Sequence, residues 1–136
     1  MTTSTVNYQG NLRTTMLHLQ SNSEVITDAP VDNHGKGEAF SPTDLVATAL
    51  ASCMMTIMGI KANDMGVDIT GTSATIKKNM SASPRRISEI VADVYLNQNF
   101  DAKTRKILEM AALTCPVSQS LHPETRQTIR FIYPEE

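Results

Sequence analysis

From Thr3 to Thr27 the apolar side chains Val6, Tyr8, Leu12, Met16 and Leu17 are mixed with threonines at roughly every second position. That is the spacing of strands with one face toward a core. Gln9-Gly10-Asn11 and Asn22-Ser23 interrupt the pattern with turn formers, so three strands are expected. The stretch Asp28 to Phe40 carries Pro30, Asn33, Gly35 and Gly37 and reads as a loop. It is longer than most connections in small domains, and long connections are where function tends to sit.

The period then changes. Ser41 is a good N-cap, Pro42 suits the first helical position, and Asp44 places a carboxylate in the first turn, where the helix dipole favours it. Leu45, Ala49, Cys53 and Ile57 form one i, i+4 stripe; Val46, Leu50, Met54 and Met58 form the adjacent one. No charge appears between Leu45 and Ile60, and a helix apolar on nearly every face is expected to be buried nearly all round. The uncharged run falls short of about 18 residues and contains Thr48, Ser52, Thr56 and Gly59. A central core helix is therefore expected, not a membrane span. Lys61, Asn63, Asp64 and Gly66 end it.

Val67 to Ile76 alternates again and is rich in Thr, which predicts a strand; Ser81 to Arg86 links it to a second, Ile87 to Leu96, as an antiparallel hairpin. Asp101 caps a predicted amphipathic helix, Ala102 to Leu113, with Ile107, Leu108, Ala111 and Ala112 on one side. Pro116 to Leu121 predicts a short helix, and Thr125 to Tyr133 a closing strand. Strands grouped in blocks around helices predict an α+β fold with a mainly antiparallel sheet, in one domain spanning residues 1–136.

Composition removes several classes of function. Net charge is -2, like charges do not cluster, and there is no Trp among six aromatics, which leaves no footprint for nucleic acid or an anionic membrane. Two cysteines and three scattered histidines (His18, His34, His122) lack the paired spacing of a zinc site. Met1-Thr-Thr-Ser-Thr has neither a basic start nor an apolar run, so a cytoplasmic protein without a signal peptide is expected. In that reducing compartment two cysteines are reactive or simply buried, not a permanent cross-link. The methionines Met54, Met55, Met58 and Met65 read as adaptable packing, and Arg85-Arg86 as a solvated turn.

The cysteines carry the candidate chemistry. Cys53 sits mid-helix among aliphatics, with no Lys, Arg or His within one turn, so any activating cation must come from elsewhere. Arg13, His34, Lys36 and Lys61 are the candidates. Cys115 precedes Pro116, which puts its sulfur at or beside a helix N-cap, where free N–H groups favour a thiolate. Without a partner, each is a small core residue.

Taken together, Ser41-Pro-Thr-Asp-Leu-Val-Ala-Thr-Ala-Leu-Ala-Ser-Cys53 and, some sixty residues later, Cys115-Pro-Val-Ser-Gln-Ser-Leu121 resemble the OsmC/Ohr family of thiol peroxidases. The resemblance covers most of the chain. It implies the family's α+β architecture, two chains interlocked as a homodimer around central cysteine helices. It makes Cys53 the peroxidatic residue, oxidised by a hydroperoxide to a sulfenic acid, and Cys115 the resolving one that condenses with it to a disulfide. A thiol reductant, in this family often a lipoylated protein, would restore both thiols, with no metal or organic cofactor.

The family also activates its peroxidatic cysteine with an arginine held by an acidic residue. The acidic position two residues after the helix-starting proline is Asp44 here, shorter than the usual Glu, and the loop Asp32 to Glu38 contains no arginine. Arg13 corresponds to members whose arginine is N-terminal, and His34 or Lys36 is the loop alternative. Lys or His does not reproduce the rigid guanidinium fork. Two other readings stand beside the peroxidase: a stress-associated or small-molecule-binding protein on the same fold, and a general disulfide-exchange protein, which the lack of a Cys-x-x-Cys disfavours.

Overall fold

Three strands open the chain: β1 (Ser4–Gly10), β2 (Arg13–His18) and β3 (Glu24–Asp28), joined as an antiparallel meander in the order β1-β2-β3. The computed structural model describes residues 1–134 and divides into two units, the first ending at Val46 and the second beginning at Ala47. The first turn falls where the sequence places it, with Asn11 and Leu12 both left-handed at φ 54° and 63°. Asn22, at φ 62°, makes the second. Asparagine tolerates this conformation through its short polar side chain; Leu12 has no such excuse, and its amide is held by the Tyr8 hydroxyl at 3.2 Å.

Asp28 ends β3, and the following loop folds tightly back on it. A single 3-10 turn (Val31–Asn33) stops at His34, again left-handed. The Gly35 amide donates to the Pro30 carbonyl at 2.9 Å and the Gly37 amide to the Ala29 carbonyl at 3.2 Å. A Cβ on Gly35 would lie 1.7 Å from the Ala29 carbonyl oxygen, so only glycine lets the loop close this far.

Helix α1 (Pro42–Met65) begins with a reciprocal cap: the Asp44 amide donates to Ser41 Oγ at 3.1 Å, and the Ser41 amide to Asp44 Oδ2 at 3.0 Å. By length and composition α1 could cross a bilayer, but one face is packed into protein. The expectation of burial all round is corrected here. Ala47, Leu50, Ala51, Met54, Met58 and Ala62 are buried, the Leu45–Ala49–Cys53–Ile57 stripe is half-buried, and Val46 and Ile60 are 41% and 56% exposed. One three-stranded sheet has only one face to offer a helix.

In the second unit β4 (Ser73–Ala82) and β5 (Arg85–Tyr95) form the expected antiparallel hairpin, with only Ser83-Pro84 between them. The strand predicted from Val67 starts six residues later. Asp68 Oδ1 accepts from the Thr70 amide and hydroxyl at 2.9 and 2.7 Å, Gly71 sits at φ 96°, and the Asp68 carbonyl is taken by Asn97 and Gln98 side chains. These side-chain bonds hold 68–72 in a turn against its β propensity.

Helix α2 (Ala102–Leu113) is capped by Asp101, whose Oδ1 accepts from the Thr104 amide at 2.8 Å, and α3 (Pro116–Ser120) follows. The two helices supply the crossover that β6 (Arg126–Ile132) needs to pair parallel with β5, giving the order β4-β5-β6. Met54, Met58, Leu50, Ile90, Val94 and Leu108 meet in the core between α1, the sheet and α2. Arg105 stacks 3.9 Å above the Tyr133 ring, whose hydroxyl donates to Glu109, and so ties α2 to the end of β6. The α+β class and the predominance of antiparallel pairs are as expected; β5–β6 is the parallel exception.

Candidate active site

Cys115 is the N-cap residue of α3. Its backbone is extended, Pro116 takes the first helical position, and its Sγ accepts from the Ser118 amide at 3.4 Å. The side chain is fully buried. Cys53, three turns into α1, is half-buried and packs at the margin of the same core. The fold places the two thiols near enough for Cys53 to act on the titration of Cys115; both lie in the second unit, at one core cluster, and both are free. Burial pushes the Cys115 thiol up; the Ser118 amide opposes this, and Cys53 raises it further. The N-cap position alone suggested an easily ionised Cys115; its burial outweighs the cap.

Arg13 lies in the first unit, at the start of β2. Its Nε donates to Asp28 Oδ1 at 2.7 Å and its Nη2 to Asp28 Oδ2 at 2.8 Å, with Glu38 Oε1 at 3.3 Å from the same Nη2. Asp28 is 1% exposed and also accepts from the Glu38 amide at 3.1 Å. The Arg13 guanidinium, above all by hydrogen bonding, holds the Asp28 carboxyl below its ordinary value, with a smaller contribution from Lys36. Arg13, Lys36 and the turn Gln9–Asn11 line a small cavity of about 130 Å³.

Asp44, the acid matched to the family's arginine-holding position, closes the Ser41 cap, while Asp28 and Glu38 grip Arg13. Sequence reading missed both. The available signal was register: Asp28 stands directly opposite Arg13 across β2 and β3, a pairing that needs the hairpin loop length before it can be read. His34 and Lys36 lie on the exposed loop, and Lys61 is exposed near the end of α1. A groove of about 550 Å³ follows α1 past Ser52, Met55 and Thr56 to the 68–72 turn; neither cysteine lines it.

Comparison with known proteins decides what this arrangement belongs to. The profile of the family described as OsmC-like protein matches residues 35–130, which includes both cysteines and their flanking motifs. The chain belongs to that family. A crystal structure from Psychrobacter arcticus 273-4, named as a candidate osmotic stress induced and detoxification response protein, is 62% identical. It superposes with a TM-score of 0.94 over 96% of each chain. An organic hydroperoxide resistance protein OsmC from Legionella pneumophila is similar at 15% identity, TM-score 0.75, over 97% of this chain and 98% of that one. A Vibrio cholerae protein, also named for organic hydroperoxide resistance and holding captopril in one of its active sites, is similar at 15% identity. Its TM-score is 0.71, over 96% of this chain and 92% of that one. These last two establish a shared fold. No curated protein matches the sequence significantly.

Proposed function

We propose that this chain is a thiol peroxidase that reduces organic hydroperoxides through Cys53 and Cys115. The observation that carries the reading is that a half-buried thiol on α1 and a buried thiol at the start of α3 share one core cluster and influence each other. Family membership, and structural relatives named for organic hydroperoxide resistance, support it.

In the first step the Cys53 thiolate attacks one peroxide oxygen. The O–O bond breaks, sulfur gives up two electrons to become a sulfenic acid, and the departing alkoxide takes a proton and leaves as the alcohol. The Cys115 thiol then loses its proton and attacks the Cys53 sulfur; an S–S bond forms, and the sulfenic hydroxyl leaves and takes up that proton as water. A dithiol, such as a dihydrolipoyl group on a carrier protein, returns the two electrons and reopens the disulfide. Burial supports this order of the roles: Cys53 is half-buried and Cys115 is enclosed. The reading gives Arg13 the cation's part, its fork held by Asp28 and Glu38. It also places the protein in the cytoplasm as a homodimer, which would cover the apolar side chains α1 leaves exposed.

Cumene hydroperoxide tests the chemistry. Wild-type protein should lose two titratable thiols and gain one intramolecular disulfide. Cys53→Ser should consume no peroxide, and Cys115→Ser should hold a sulfenic acid at residue 53 that dimedone traps. Unchanged thiols in the wild type would overturn the peroxidase and leave a binding role on the same fold.

A further inference from the structure

Helix α3 is five residues long, too short to hold itself in place. Upstream it follows the end of α2, where the Thr114 and Cys115 amides make bonds of 3.3 Å to the Ala111 and Ala112 carbonyls. Downstream, the link to β6 is bolted to the sheet at Thr125, whose hydroxyl donates to the Ile87 carbonyl at 2.9 Å and accepts from Arg86 at 3.1 Å. Between these anchors the Gln127 side chain of β6 reaches α3. Gln127 accepts from the Ser118 hydroxyl at 2.6 Å and donates to the Ser118 carbonyl at 3.1 Å. Both halves of its amide are spent on one residue, and that residue's own amide donates to Cys115 Sγ at 3.4 Å.

We infer that Gln127 is a positioning residue for the resolving thiol, fixing Ser118 and through it the direction in which the Cys115 sulfur meets Cys53. The inference rests on the reading above in taking Cys115 as the resolver. Gln127 itself sits opposite Ile90 in the β5–β6 ladder, so its amide is anchored to the rigid sheet. Closing the disulfide requires the attacking sulfur to approach along a narrow range of directions. A five-residue helix left to rotate about its ends would spend much of its time outside that range. Thr128, the next residue, donates instead to Glu89 and has no part in the clamp.

Closure can be followed without peroxide. 5,5′-Dithiobis(2-nitrobenzoate) forms a mixed disulfide at the accessible Cys53 and releases one thionitrobenzoate. The Cys115 thiolate then attacks the Cys53 sulfur and displaces the second. In stopped flow, Gln127→Leu should leave the first release at the wild-type rate and slow the second by about tenfold to a hundredfold. Gln127→Glu keeps the arm that accepts from Ser118 Oγ and should restore part of the rate; Thr128→Val should leave both phases unchanged. Ser118→Ala removes one arm alone and should slow the second phase even if Gln127→Leu does not fold. Wild-type second-phase rates in Ser118→Ala and in the Gln127 variants that fold would overturn the proposal, as would a wild type that releases only one equivalent. Failure of the peroxidase reading is seen separately, as cumene hydroperoxide leaving the wild-type thiols intact while the second release still occurs.

Discussion

Arg13 and Asp28 face each other across β2 and β3 and close a two-pronged ion pair, with N–O distances of 2.7 and 2.8 Å, around a carboxylate that is almost wholly enclosed. Bidentate geometry of this kind fixes the guanidinium plane as well as its charge. Its cost falls on Asp28, which must stay ionised inside the protein, and Arg13 hydrogen bonding is what keeps it so.

That arrangement makes stability depend on pH in a defined direction. The Asp28 carboxyl titrates lower in the folded chain than in the unfolded one, so across that interval the unfolded chain binds more protons. The stabilisation is therefore fully present above about pH 4, where an unfolded Asp is ionised, and is lost as pH falls through the folded value. Asp28→Asn should lower the midpoint of thermal unfolding at pH 7, and its deficit relative to wild type should shrink as the pH is taken down toward 3. A deficit that stays constant with pH would mean that the ion pair is not its source.

Gly35→Ala tests how tightly the loop behind Asp28 is folded. The added methyl would meet the Ala29 carbonyl oxygen at 1.7 Å and the Ala29 Cβ at 2.6 Å, and backbone cannot swing away as a flexible side chain can. Displacing the loop also disturbs the Glu38 amide that donates to Asp28. A loss of about 1–3 kcal/mol is expected, the usual cost of overpacking. Denaturant unfolding measures it, and a midpoint equal to wild type would show that the loop adapts freely.

The homodimer proposal rests on uncovered apolar side chains. Val46 and Ile60 on α1, with Val6 and Tyr8 at 61% and 67% exposure on β1, leave more apolar surface open than one chain has a use for. Sedimentation equilibrium should give about twice the 14.9 kDa of a single chain at micromolar concentration. A monomer throughout that range would remove the dimer.

Much of this was legible in the sequence because local signals agreed with one another. Ser41-Pro42 with Asp44 marks the start of α1, Asp101 caps α2, and Cys115-Pro116 opens α3, each by a cap that acts within three residues. What escaped depends on partners distant in the chain. The start of β4 is delayed because Asn97 and Gln98, some thirty residues away, hold the Asp68 turn. The one-sided burial of α1 could not be read from its own composition, since an all-apolar helix does not say how many faces its neighbours cover. The acid that grips Arg13 was sought beside the cysteine helix and lies on the adjacent strand, visible only through the β2–β3 register. The closeness of Cys53 to Cys115 was an expectation from family resemblance, and no spacing rule alone would have produced it.

The titration of Cys115 sets how disulfide closure should respond to pH. Only the thiolate attacks, and its fraction rises tenfold per pH unit until the group's own pKa is reached. Burial moves that point above the 9.0 of an ordinary thiol, further than the Ser118 amide can draw it back, and burial is what remains once Cys53 is tied up in the mixed disulfide. The second thionitrobenzoate release should therefore climb steadily from pH 7 and still be rising at pH 9, where an unperturbed cysteine would already be levelling off. Ser118→Pro would remove the larger of the two opposing amides, Val117 being the smaller, and push the curve further toward alkaline pH. A closure rate that reaches its plateau below pH 8 would mean that an interaction stronger than the Ser118 amide stabilises the Cys115 thiolate, and that the enclosed pocket is not what governs it.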